Sequence, residues 1–137
     1  MLRRNQKVEL IRKAPLFAHC SKRELERIAQ IADEIDLGKG KEMTRQGSRG
    51  REFFVLLEGD ADVDKDGRRI NTLGPGDFFG EIALVSDTPR TATVTATSPV
   101  RALVITDRSF KRLLKDIPEI QSKVLSALAE RLAPELV

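Results

Sequence analysis

The stretch Phe53-Phe54-Val55-Leu56-Leu57-Glu58-Gly59-Asp60-Ala61-Asp62-Val63-Asp64-Lys65-Asp66-Gly67-Arg68-Arg69-Ile70-Asn71-Thr72-Leu73 decides the fold. Phe53 to Leu57 is apolar at every position, as a strand buried on both faces requires. Asp60 to Asp64 then alternates polar with apolar residues, the pattern of a strand with one wet face. Asp66-Gly67 is a two-residue hairpin signal, because both residues tolerate the positive φ of a tight turn, and it joins that strand to Arg68–Leu73. Outward from this hairpin, Gly38, Gly40, Gly47, Gly50, Gly74, Gly76 and Gly80 punctuate further short segments. Thr91–Thr97 and Val100–Ile105 add two more strands, separated by Ser98-Pro99. About eight short strands joined by turns predict an antiparallel β-barrel or jelly roll, a double-stranded β-helix.

Helices flank this region. Leu2, Val8, Leu10 and Ile11 sit among basic residues, which suits an amphipathic helix over Leu2–Lys13 ended by Pro15. The helix reads as a packing element or, more sharply, as one that docks on a membrane or a partner. Ser21-Lys22-Arg23-Glu24 matches a capping box, and Leu25, Ile28, Ala29 and Ile31 form the apolar stripe behind it. After the strands, Thr106 or Asp107 can cap a helix through Phe110, Leu113 and Leu114. Pro118 opens another, with Ile117, Ile120, Val124, Leu125, Leu128 and Leu132 as its stripe. The expectation is one domain over 1–137, mainly β with flanking α. Its parts are N-terminal helices over 1–32, a barrel over 33–105 and C-terminal helices over 106–137.

Composition limits the chemistry. The 137 residues hold 24 Lys and Arg against 21 Asp and Glu, a balance of +3 that reads as a folded chain rather than a polyelectrolyte. Six Phe with no Tyr or Trp leave little for a base-stacking platform. The apolar runs are far shorter than the roughly 18–20 residues that cross a bilayer, so no membrane span is expected and the expected compartment is the cytoplasm. Cys20 has no disulfide partner. With His19 as the single histidine, the several imidazoles of zinc or di-metal hydrolases are lacking, and His19 with Cys20 cannot close a tetrahedral metal site. Asp60, Asp62, Asp64 and Asp66 resemble a calcium loop only superficially, because the closing Glu is missing and the residues alternate across a strand. Neither an enzyme nor a metal site is therefore expected.

One segment stands apart from the strand pattern. Glu81 to Val85 has helix formers for about one turn, entered through Gly80 and left through Ser86-Asp87-Thr88-Pro89. So short a helix is costly to nucleate and buries little, which points to a use for its exposed amides, namely an anion site. Arg90 can return to the same spot as a bidentate donor to a phosphate. Glu81 would repel that phosphate and suits a neutral donor such as a ribose hydroxyl. A Glu81–Arg90 ion pair bracing a surface loop is the plainer alternative.

Phe79-Gly80-Glu81-Ile82-Ala83-Leu84, a short gap and Pro89-Arg90-Thr91-Ala92-Thr93-Val94 closely resemble the phosphate-binding cassette of cyclic nucleotide-binding domains. Those domains occur in catabolite activators, kinase regulatory subunits and nucleotide-gated channels. The resemblance extends over nearly the whole chain, through the Gly47, Gly59 and Gly76 turns and Phe54–Gly59. It departs at Arg51, where the family commonly has an acidic residue; that position reads as a surface turn. The resemblance implies a cassette over 79–92 in which Arg90 neutralises the cyclic phosphate of cAMP or cGMP. The Ala83 amide and its neighbours, including Ile82, donate to that phosphate. Glu81 accepts from the ribose 2′-hydroxyl, and Phe79, Gly80 and Ala92 complete the wall. Thr91 matches a position whose hydroxyl can meet the phosphate or a syn guanine, or it is an ordinary strand hydroxyl. Arg131 resembles a basic residue that covers the purine in channel domains, or is simply solvated.

The resemblance also implies that the final helix over 118–132 moves against a rigid barrel, with Asp116-Ile117-Pro118 as hinge. The chain ends at Val137, too soon for a helix-turn-helix, so direct DNA binding is not expected. The favoured expectation is a stand-alone, bacterial-like and non-catalytic cyclic nucleotide sensor acting through a protein partner in trans; monomer and homodimer both stay open. A structural or interaction domain of the same fold that binds no nucleotide is the alternative.

Overall fold

The computed structural model describes residues 4–80 and 88–132, and the chain divides into two compact units, Ala32–Asp107 and Met1–Ile31 with Arg108–Val137. The first unit is built of eight described strands: β1 Asp33–Leu37, β2 Glu42–Thr44, β3 Glu52–Glu58, β4 Ala61–Lys65, β5 Arg68–Leu73, β6 Phe78–Phe79, β7 Thr93–Ala96 and β8 Val100–Thr106. They form two antiparallel four-stranded sheets, ordered β1-β8-β3-β6 and β2-β7-β4-β5. The hairpin expected at Asp66-Gly67 is present. Both residues have positive φ (53° and 77°), and β4 pairs β5 with Ala61 opposite Leu73.

The sheets contribute to one core. Phe54, Leu56, Phe79, Val100 and Ala102 of one sheet pack with Ala61, Leu73, Val94 and Ala96 of the other. Phe53, Val55 and Leu57, on the opposite face of β3, are buried as well, so the apolar run is covered on both sides as its composition requires. The arrangement is consistent with a jelly roll. The expected barrel closure is absent among the described residues: β1, β6, β2 and β5 end their sheets, and no ladder joins the two. Strands of two and three residues at β6 and β2 are too short to carry the stagger that closure demands. Thr91, Ala92 and Thr97, expected within a strand, lie just outside β7.

The second unit holds helices α1 Arg4–Arg12, α2 Lys22–Ile31, α3 Asp107–Asp116 and α4 Pro118–Leu132, with a 3-10 turn at Pro15–Phe17. Helix α3 begins on the last residue of the strand unit. The capping box forms as read: the Ser21 amide donates to Glu24 Oε1 at 2.8 Å and the Glu24 amide donates to Ser21 Oγ at 3.2 Å. Val8, Ile11, Leu25, Ile28, Phe110, Leu113 and Ile120 are buried, and Phe17 and Phe110 approach to 6.3 Å between ring centres. Leu125 departs from the expected stripe, being 52% exposed. No helix among the described residues is long and apolar enough to cross a membrane.

Candidate nucleotide site

The site is built where β3 begins. β6 pairs with β3, placing Phe79 opposite Phe54 and Phe78 opposite Val55; the Phe54 and Phe79 rings stack at 4.9 Å. This pairing carries Gly80 back to Glu52. Gly80 has φ of +84°, and a Cβ there would lie 2.7 Å from the Glu52 carbonyl and 2.9 Å from Arg90 Nη1. Gly50 approaches from the other side, where a Cβ would lie 2.5 Å from Arg90 Nε. The Arg90 side chain thus threads between two glycines that leave room for it.

Its side chain is 8% exposed. Nη2 donates to the Glu52 carbonyl at 2.7 Å and to Glu52 Oε2 at 3.3 Å. The backbone is fixed as firmly, since the Arg90 amide donates to the Ser48 carbonyl at 2.9 Å and the Gly47 amide donates to the Arg90 carbonyl at 2.8 Å. A cleft of about 410 Å³ opens beside it, bordered among the described residues by Thr44, Arg45, Ser48, Arg49, Glu52 and Arg90, with Glu42, Met43 and Gly50. An arginine held this way is a preplaced cation: among the described residues its orientation is set by one neutral backbone carbonyl, and one carboxylate, that of Glu52, opposes its charge.

Of the other residues read from the sequence, Phe79 is buried and Thr91 exposed. The Ala92 carbonyl accepts from Thr44 Oγ1 at 3.0 Å. Glu81, Ile82 and Ala83, with the expected one-turn helix, lie outside the described residues, as does the side chain of Arg131 in the last turn of α4. Glu52 and Ser48 were not singled out from the sequence, and Gly47 and Gly50 were read only as turn glycines. They lie about forty positions from Arg90, and no periodic signal spans that distance. Arg51, read as a surface turn, points to Asp107 at 3.5 Å, while its carbonyl accepts from the Asp107 amide at 2.8 Å. Its neighbour Glu52 brings a carboxylate to Arg90.

Elsewhere the chemistry is quiet. Among the described residues no group of three or more His, Cys, Asp or Glu gathers into a metal site. Asp62 of the acidic strand instead pairs with Arg69 at 2.6 Å. Burial, and then the Glu24 charge, push the Cys20 thiol up to about 11, partly offset by Lys123, so it stays protonated at neutral pH.

The cyclic nucleotide-binding domain model matches residues 34–116. The chain belongs to that family. It is 37% identical over 109 residues to a cAMP-dependent protein kinase regulatory subunit of Mycosarcoma maydis, covering 73% of this chain and 21% of that protein. It is 34% identical over 137 residues to cGMP-dependent protein kinase isozyme 1 of Drosophila melanogaster, covering 92% of this chain and 17% of that one. The chain therefore spans about a fifth of the curated relatives it matches. Among solved structures, the regulatory domain of Toxoplasma gondii PKA with cAMP aligns with a TM-score of 0.75 at 28% identity, over 82% of this chain and 45% of that one. This cyclic nucleotide-binding domain is thus homologous to regions of cAMP- and cGMP-dependent kinases.

Proposed function

We propose that residues 1–137 act as one non-catalytic module that binds cAMP or cGMP through the cassette over 79–92 and regulates a protein partner in trans. The observation that carries this reading is Arg90, buried between Gly50 and Gly80 and preoriented by the Glu52 carbonyl. Burying an arginine for local bracing alone would be costly, whereas an incoming cyclic phosphate supplies the second anion that the guanidinium geometry suits. In this reading the amides of Ile82 and Ala83 join Arg90 on the phosphate, and Glu81 takes the ribose 2′-hydroxyl. Phe79, Gly80 and Ala92 shape the wall, Thr91 meets the phosphate or a guanine, and Arg131 covers the purine.

The test is calorimetric titration of both cyclic nucleotides into the purified chain. A micromolar ligand corresponds to about −8 kcal/mol, and a charge-assisted contact is worth about 1.5–3 kcal/mol. Arg90→Ala is therefore expected to weaken binding by roughly tenfold to several hundredfold, and Glu81→Ala by less. Unchanged affinity in Arg90→Ala overturns the phosphate assignment. Failure of either nucleotide to bind or to raise the melting temperature of the native chain would instead favour a domain that keeps the fold without the ligand.

A further inference from the structure

Helix α3 has the sequence Asp107-Arg108-Ser109-Phe110-Lys111-Arg112-Leu113-Leu114-Lys115-Asp116. Arg108, Lys111, Arg112 and Lys115 stand at i, i+3, i+4 and i+7, so they share one face over about 10.5 Å of helix axis. All four are exposed, while Phe110 and Leu113 are buried on the opposite side. Like charges at this spacing repel and cost helix stability, so the stripe is not explained by what the helix itself needs. The two acidic residues of α3 are at its ends and engaged, Asp107 by Arg51 and Asp116 by Arg27, each at 3.5 Å. Arg112 and Lys115 have no counter-charge among the described residues.

We propose that the Arg108–Lys111–Arg112–Lys115 face of α3 is a docking surface for an acidic helical segment of a protein partner. This deepens the reading above, in which the domain acts through such a partner. A helix with Asp or Glu at i, i+3, i+4 and i+7, laid antiparallel, sets carboxylates against Arg112 and Lys115 and brings two more to the Arg108–Lys111 end of the face. The alternatives fit less well. A bilayer surface would want an apolar wedge, but Phe110 and Leu113 are buried and Leu114 is half-buried. A single-stranded nucleic acid would want stacking partners, and all six Phe are buried; the duplex is left to the experiment.

The experiment measures fluorescence anisotropy on the full chain without nucleotide, so that its outcome does not depend on nucleotide binding. The probes are a helical peptide with Glu at i, i+3, i+4 and i+7, an isomer of the same composition with its Glu residues spread around the helix, phosphatidylcholine–phosphatidylserine vesicles, and a short DNA duplex. The patterned peptide is expected to bind best. The double variant Arg112→Glu with Lys115→Glu is expected to lose roughly tenfold or more, because like charges then face each other. Lys39→Glu with Lys41→Glu makes the same charge change at exposed residues of the strand unit and is expected to lose much less; equal melting temperatures confirm that both variants fold. Equal binding of the two peptides, equal losses in the two double variants, or tighter binding to vesicles or duplex would overturn the proposal.

Discussion

Two ion pairs, one in each unit, use the same chemistry with the burial reversed. In Arg90–Glu52 the cation is the buried member, at 8% side-chain exposure against 47% for the carboxylate. In Lys123–Glu24 the carboxylate is the buried member, at 10% against 31% for the ammonium. The Glu24 carboxylate accepts from the Ser21 amide and from Lys123, and the Glu24 amide donates to Ser21 Oγ. Burial pushes its pKa up, but the bonds from Lys123 and Ser21 outweigh that and hold it below the ordinary 4.5. Among the described residues, the Arg90 side chain is held by one backbone carbonyl and one half-exposed carboxylate that water can reach. Among the described residues, then, the buried carboxylate of one pair has two donors, whereas the buried cation of the other meets one neutral carbonyl and one solvent-accessible anion.

The comparison can be broken most sharply at Gly80. Gly80→Ala is expected to destabilise the domain by about 1–3 kcal/mol and to abolish measurable nucleotide binding, because the methyl group meets both the Glu52 carbonyl and Arg90 at a positive φ. A variant with unchanged melting temperature and affinity would remove the glycine cradle from the account. Next comes Glu24→Ala, which loses the capping box at a cost of about 1 kcal/mol. The contribution of ionised Glu24 is present above its unfolded value near 4.5 and is lost as pH falls through the lower folded value, so Glu24→Gln should flatten that part of an acid-unfolding curve. Both Glu24 variants should keep the rise in melting temperature produced by nucleotide; losing it would make this pair part of the site.

Glu52→Gln is expected to tighten nucleotide binding by roughly twofold to fivefold at low salt, fading at high salt, because the amide no longer opposes the incoming phosphate while the carbonyl still orients Arg90. Weaker binding would show that the carboxylate positions the guanidinium instead. Smallest is Arg51→Ala: its side chain is 59% exposed and lies against Asp107, so melting temperature and affinity should stay within experimental scatter.

What was legible in the sequence was local. The capping box, the Asp66-Gly67 hairpin, the doubly buried Phe53–Leu57 strand and the break between α3 and α4 at Pro118 are each settled by residues within a few positions of one another. Arg90 was marked as a candidate by its residue type and its place after the cassette motif. Its surroundings were not: Gly50 and Glu52 reach it only because β3 pairs with β6 and the Gly47–Ser48 turn bonds to the Arg90 backbone. The choice between barrel and open sheets rested on the short edge strands β2 and β6, whose bounds the sequence pattern left unassigned.

By itself the sequence determined the element types, the turns, the cassette motif and the scarcity of catalytic side chains, all of which follow from short-range sterics and composition. Only the tertiary structure decided which carboxylate meets which cation and which partner of each pair is buried. Glu52 and Arg90 are 38 residues apart, and Glu24 and Lys123 are 99 apart. Contacts at such separations depend on how sheets and helices pack, and that packing then determines which member of each charge pair is withdrawn from water.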